Sequence, residues 1–127
     1  MRKRTPLSLA GFSLAVLAGL ALASGPDIVG TWLGKTEIPD AGLDELTMVI
    51  TKTESGYAGL SSDTLGYLAP NSEMREIKLD KAELTFSLPL VDGQIVFLRM
   101  TVDGDKMAGT WTTSEGNMGA IAFEKKK

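Results

Sequence analysis

The sequence contains no cysteine and no histidine, and these two absences exclude most of the familiar catalytic chemistry. Without cysteine the chain can form no disulfide, no thiolate metal site and no cysteine nucleophile. Without histidine it lacks the commonest metal ligand, the usual general base near neutral pH and the serine–histidine–aspartate triad. No Ser-x-x-Lys spacing occurs after residue 23, and no glycine-rich loop leads into a helix. We therefore expect a protein that is not an enzyme and that uses no metal or other cofactor.

The first 23 residues have the pattern of a secretory signal peptide. Arg2, Lys3 and Arg4 precede an apolar run from Leu7 to Leu22, and Ala21-Leu22-Ala23 is a small-x-small cleavage site. A membrane anchor is the alternative, but the run has 16 residues, fewer than the roughly 20 that a spanning helix needs. The sequence predicts cleavage after Ala23, export to the periplasm or the medium, and no stable membrane anchor afterwards.

The chain that follows residue 23 is acidic. It keeps all 16 Asp and Glu but loses three of the 13 Lys and Arg, so its net charge is −6 where that of the whole chain is −3. A surface of this sign disfavours nucleic acid and anionic lipid headgroups as partners. A domain of about 100 residues can bury roughly 60–65% of its unfolded surface, so we expect it to fold alone.

Alternation of apolar and polar positions dominates residues 24–127. In one regular stretch the apolar residues Leu46, Met48 and Ile50 occur at every second position. This spacing is the period of a strand with one buried side. Turn signals such as Asp103-Gly104 separate the apolar runs, and Asp-Gly favours hairpins because a type I′ turn needs positive φ at both central residues. The runs predict eight strands, at Ile28–Glu37, Asp44–Lys52, Tyr57–Ser62, Met74–Leu79, Glu83–Leu88, Gln94–Val102, Lys106–Thr113 and Met118–Glu124.

Short connections join these predicted strands everywhere except between residues 63 and 73. A continuous meander favours closure, because closing the sheet removes its two exposed edges. We therefore predict an all-β fold, in which residues 24–127 form a single antiparallel up-and-down barrel.

Several short motifs resemble those of the lipocalins and other calycin-type barrels. Gly30-Thr31-Trp32 on the first predicted strand resembles their opening Gly-x-Trp and is similar to the first strand of streptavidin-like barrels. Together with Leu84-Thr85-Phe86 and the stretch from Asp103 to Trp111, it looks like the pattern of small exported bacterial β-domains. Such domains occur alone or beside secreted serine-hydrolase or peptidase-like domains. The resemblance implies a small lipocalin-like barrel with no assigned activity.

The resemblance also implies a contact between a basic residue of a late strand and the first-strand tryptophan. Lys125 is the nearest positional match to that basic residue, and Arg99 is the other candidate. Because this chain is shorter than most lipocalins, its barrel interior should be smaller than theirs.

The tetrapeptide that ends in Trp32 has an echo at Trp111. Val29-Gly30-Thr31-Trp32 recurs as Ala108-Gly109-Thr110-Trp111. One explanation is packing, in which a glycine lets a bulky tryptophan lie over a neighbouring strand. The other is a pair of aromatic rings that face a ligand.

Arg99 lies in an apolar strand whose orientation the sequence leaves open. It shares a face with Phe97, opposite Val96 and Leu98, and either face could point inward. An inward Arg99 must be paired, since an unpaired buried charge is costly, and it could then bind a carboxylate ligand. An outward Arg99 would lie over Phe97 on the solvent face.

Apolar residues occupy the long 63–73 connection. Tyr67 lies there beside Leu65, Leu68 and Pro70. They could form a lid over one end of the barrel or a contact patch for a partner, or the loop could fold back and complete the core. Asp103-Gly104-Asp105 lacks the further ligands of a calcium loop and is predicted to be a hairpin turn.

The leading hypothesis is an exported, non-enzymatic barrel that binds a small apolar ligand or a partner protein of the envelope. The alternative is an accessory or inhibitory module that acts through its loops on an envelope or secreted enzyme. The candidate ligand-binding residues are Trp32, Tyr57, Tyr67, Arg99 and Trp111.

Overall fold

This computed structural model describes residues 25–127 of the chain. These residues contain nine β-strands joined by turns and loops. The predicted signal peptide lies outside the described residues. Within residues 25–127 there is no helix of the length and apolarity needed to cross a membrane. The strands are β1 (Gly30–Ile38), β2 (Gly42–Thr53), β3 (Gly56–Asp63), β4 (Ser72–Glu73), β5 (Arg75–Asp80), β6 (Glu83–Pro89), β7 (Ile95–Asp103), β8 (Lys106–Thr113) and β9 (Met118–Lys125).

All nine strands belong to one antiparallel sheet in the order β4-β3-β2-β1-β9-β8-β7-β6-β5. β1 pairs with β2 on one side and with β9 on the other, so the first and last strands are neighbours. β4 and β5 lie at the two ends of this order, although Met74 alone separates them along the chain. The sheet is therefore a nearly closed barrel, and the prediction of an all-β antiparallel barrel is confirmed.

The predicted count of eight strands is wrong, because the segment 72–80 divides at Met74. Its first part, β4, pairs with β3, and its second part, β5, pairs with β6. The backbone N–H of Met74 donates to the carbonyl of Gly59 at 2.9 Å, which holds the chain beside β3 before it crosses over. Glu76 then takes a positive φ of 53°, where the register between β5 and β6 shifts. This irregularity lets one extended segment change partners and close the barrel.

Alternation along the strands follows the predicted period. On β2 the residues Leu46, Met48 and Ile50 face the interior and their neighbours face solvent. β7 turns Val96 and Leu98 inward, and the inward side chains of opposite strands meet in one core.

The hairpin predicted at Asp103-Gly104 is present between β7 and β8, where Asp103 pairs with Lys106. The two central residues of this turn are Gly104, which has a positive φ of 62°, and Asp105, which does not have a positive φ. The turn therefore resembles type II′, with a glycine at its first central position, rather than type I′.

One end of the barrel is closed around Trp32. This side chain is fully buried, and its indole N–H donates to the carbonyl of Ile28 at 3.0 Å. Lys125 places its ammonium nitrogen 5.2 Å from the ring centre and donates to the carbonyl of Asp27 at 3.0 Å. The basic residue against the first-strand tryptophan is therefore Lys125 rather than Arg99. We call this the closed end.

Candidate ligand-binding cavity at the barrel mouth

The end of the barrel opposite Trp32 opens into a cavity of about 420 Å³, which we call the mouth. The turns between β1 and β2, β6 and β7, and β8 and β9 surround it, together with the loop 64–71. Its volume lies within the roughly 300–1,000 Å³ of small-molecule pockets. Most of its inner wall is aliphatic and includes Leu46, Leu88, Val96, Leu98 and Ile121.

Trp111 contributes an aromatic ring to the wall. Its side chain is largely buried, and its indole N–H donates to Oγ1 of Thr36 at 2.9 Å. The Thr36 hydroxyl donates in turn to the carbonyl of Ala120 at 2.6 Å. Because the indole N–H is satisfied within the wall, the ring can offer its apolar surface to a ligand.

Two glycines allow close packing in this part of the barrel, one beside the ring and one between neighbouring strands. Gly119 faces Trp111 across the β8–β9 pair, and a Cβ there would lie 2.6 Å from the ring atom Cζ2. A Cβ on Gly109 would overlap the backbone carbonyl of Arg99 on β7. The glycine that accommodates the ring of Trp111 is therefore Gly119, whereas Gly109 of the repeated tetrapeptide allows β8 to approach the backbone of β7 closely.

The loop 64–71 forms one side of the mouth. Leu68 is buried, and both Leu68 and Tyr67 line the cavity. The carbonyl of Tyr67 accepts a hydrogen bond from the backbone N–H of Val91 at 2.9 Å, which ties the loop to the β6–β7 turn. The loop thus contributes Leu68 to the core and still leaves the cavity open beside it.

Two aspartates anchor this loop to the barrel. Asp44 accepts hydrogen bonds from the backbone N–H of Leu65 at 2.9 Å and from the hydroxyl of Thr64 at 3.3 Å. Asp63 accepts from the backbone N–H groups of Tyr67 at 3.0 Å and Leu68 at 2.9 Å. Because of these hydrogen bonds, the position of the loop depends on the two carboxyl groups. Asp44 and Asp63 also line the cavity.

Asp44 is the buried member of this pair, with 4% of its surface exposed. Burial, followed by its hydrogen bond with the carboxyl of Asp63, raises the pKa of Asp44 from 3.8 to about 6. Repulsion from the charge of Asp63 raises this pKa further, while the hydrogen bonds from Leu65 and Thr64 lower it. Near neutral pH a negative charge is therefore held in the cavity wall at an energetic cost.

The five predicted ligand-binding residues divide between the cavity and other parts of the barrel. Tyr67 and Trp111 line the cavity. Trp32 is at the closed end, and Tyr57 lies half-buried, with the ammonium of Lys52 4.5 Å above its ring.

Arg99 is on the outer face, where it forms a 2.8 Å ion pair with Glu83. Its side chain remains mostly in solvent, so an inward orientation toward a carboxylate ligand is wrong. The apolar set that includes Val96 and Leu98 faces inward instead.

Asp44 and Asp63 were not among the predicted site residues. A signal for Asp44 does exist, because it continues the inward-facing series of Leu46 and Met48. A carboxylate in register with a buried apolar face is expected to have a structural or binding role.

These features define a class, a small antiparallel β-barrel that is closed at one end and open at the other. No family model matches the chain, and no curated protein matches it. Among solved structures the chain is similar to a de novo designed fluorescence-activating β-barrel. The two share 15% identity with a TM-score of 0.54, and the match covers 78% of this chain and 94% of the designed one. At this identity the likeness concerns the fold alone.

Proposed function

We propose that the protein is an exported, non-enzymatic barrel that holds a small, largely apolar molecule in the mouth. The observation that carries this proposal is the open cavity of about 420 Å³ with aliphatic walls and the ring of Trp111. Filling such a cavity removes apolar surface from water on both the ligand and the protein, which favours binding. The similar designed barrel is described as fluorescence-activating. Export rests on the signal-peptide pattern of residues 1–23.

A second candidate function is contact with a partner protein through the rim of the mouth. Leu65, Tyr67, Val91 and Met118 expose between 37% and 66% of their surface there, and grouped apolar residues favour protein interfaces. An accessory or inhibitory module acting on an envelope or secreted enzyme would use this rim. Replacing Tyr67 with Ser should then abolish partner capture without lowering the thermal stability.

Titration with a neutral, environment-sensitive dye, N-phenylnaphthylamine, tests the ligand-binding proposal. Val96 lines the cavity, so Val96→Phe should fill part of it and weaken dye binding by at least about tenfold. Val49 faces solvent on β2, so Val49→Phe makes the same chemical change outside the barrel and should leave binding unchanged.

Circular dichroism of both variants checks that the barrel still forms. Binding that is equal in the two variants would place the dye outside the cavity. A failure of the unmodified protein to bind the dye, together with native mass spectra that show no co-purifying molecule, would count against the proposal.

A further inference from the structure

The charges that line the mouth have one sign. Four of the side chains around the cavity are carboxylates, at Asp40, Asp44, Asp63 and Asp92. No lysine or arginine occurs among the described residues that line it. Asp40 belongs to the β1–β2 turn and Asp92 to the β6–β7 turn, and β9 and β8 separate these hairpins in the sheet. An entering molecule therefore meets negative charge on both sides of the opening.

Asp44 places one of these carboxylates within the apolar wall of the cavity. It precedes Leu46 on the inward face of β2, and its nearest charged neighbour in the cavity is another acid, Asp63. The ion pairs found within residues 25–127 are elsewhere, at Arg99–Glu83 and Lys127–Asp105. The hydrogen bonds from Leu65 and Thr64 compensate the buried carboxylate only in part.

A buried carboxylate without a cationic partner is complementary to a cation. Within residues 25–127 no group of three or more acidic side chains is arranged to hold a metal ion. The aliphatic wall and the ring of Trp111 lie directly beside the carboxylates. The complementary molecule thus combines one positive head group with an apolar body.

We propose that the mouth selects cationic amphiphiles, with an ammonium group at Asp44 and Asp63 and the apolar body against the inner wall. Fatty acids and other anionic amphiphiles are rejected, because their head group would meet the four carboxylates without a basic residue to pair with. This inference rests on the proposed function and specifies the chemical class of its ligand.

Three probes with the same chain and different head groups test this selectivity: octylammonium, octanol and octanoate. Each is titrated against the protein loaded with N-phenylnaphthylamine, below its aggregation concentration and near neutral pH. Octylammonium should displace the dye at a concentration at least about tenfold lower than octanol, and octanoate should require more than octanol.

Two isosteric variants separate local charge from net charge. Asp44→Asn removes the buried charge and should reduce the preference for octylammonium over octanol by about tenfold. Asp103→Asn removes the same charge from the β7–β8 turn at the closed end and should retain the preference of the unmodified protein.

Each outcome bears on a different statement. Equal displacement by the three probes, or tighter binding of octanoate, would overturn the charge selectivity while leaving the cavity function intact. Loss of the preference in Asp103→Asn would also overturn it, because long-range net charge would then be the cause. Dye that binds but is displaced by none of the probes excludes the proposed ligand class. Absence of dye binding defeats the proposed function itself.

Discussion

The free energy of unfolding should depend on pH through Asp44. Its pKa is raised from 3.8 to about 6 in the folded protein, so between these values the folded chain binds a proton that the unfolded chain does not. The free energy of unfolding therefore rises as the pH falls through about 6 and declines as the pH rises through it. The rise of this pKa from 3.8 to about 6 corresponds to at most about 3 kcal/mol, and sharing of the effect with Asp63 makes about 1–3 kcal/mol the expected range.

Asp92 and Asp105 affect the free energy of unfolding with the opposite sign and in a different pH range. The hydrogen bonds from Gln94 lower the pKa of Asp92, and the contact with Lys127 lowers that of Asp105. Their contributions to stability are lost only in more acidic solution, below the ordinary aspartate pKa of about 3.9. Measurements between about pH 4.5 and pH 7.5 therefore avoid the range in which Asp92 and Asp105 contribute.

Urea unfolding followed by tryptophan fluorescence measures this dependence. With a slope of about 1–3 kcal/mol per molar, the midpoint should lie roughly one molar higher near pH 5 than near pH 7.5. Asp44→Asn keeps the shape and the acceptor oxygen but removes the charge. Its midpoint near pH 7.5 should exceed that of the unmodified protein and should hardly change with pH.

Asp103→Asn is the matched control and should retain the full pH dependence. An unmodified protein that unfolds at the same or lower urea concentration near pH 5 would contradict the assigned role of Asp44. So would an Asp44→Asn variant whose midpoint still increases on acidification.

Three further substitutions test the packing around the cavity and elsewhere in the barrel. Gly119→Ala should lower the free energy of unfolding by about 1–3 kcal/mol, because its Cβ would meet the rigid ring of Trp111 at 2.6 Å. Urea unfolding and dye titration measure this, and unchanged values would show that the ring moves freely. Trp32→Ala should cost about 3–5 kcal/mol in urea unfolding, and a loss below about 1 kcal/mol would deny that this ring fills the closed end. Arg99→Ala should change stability by less than about 1 kcal/mol, since its ion pair with Glu83 is exposed, and a weaker dye affinity would contradict its placement outside the cavity.

The strands were predictable from sequence because apolar and polar residues alternate along a strand that has one buried face. Leu46, Met48 and Ile50 face the core as their spacing predicts. The orientation of β7 was not predictable from the alternation alone, because large apolar residues occur on both of its faces. Val96 and Leu98 face inward once β6 and β8 have fixed the register of β7.

The closure of the sheet depends on contacts that are distant in sequence. Met74 divides β4 from β5 through a hydrogen bond to Gly59 on another strand. No local pattern reports such a bond. The predicted meander was therefore right in its order, while its count missed the short strand Ser72–Glu73.

The candidate site was predictable in its aromatic part and missed in its acidic part. Trp111 and Tyr67 line the cavity, and a large aromatic residue in a glycine-rich strand or an apolar loop is a recognisable signal. Asp44 was overlooked because an aspartate at the start of a strand usually faces solvent. Its burial depends on Asp63 and on the loop that the two carboxyl groups hold, which the strand pattern does not report.

Both ends of the described chain join the barrel on the side away from the cavity. Gly25 lies beside the carbonyl of Lys81 in the β5–β6 turn, and Lys125 pairs with Trp32 at the closed end. A reporter, an affinity tag or a solid support attached through either end would therefore lie at the closed end, away from the mouth. Immobilised or fused protein should keep its entrance toward the solution and exchange small molecules along the same route as the free protein.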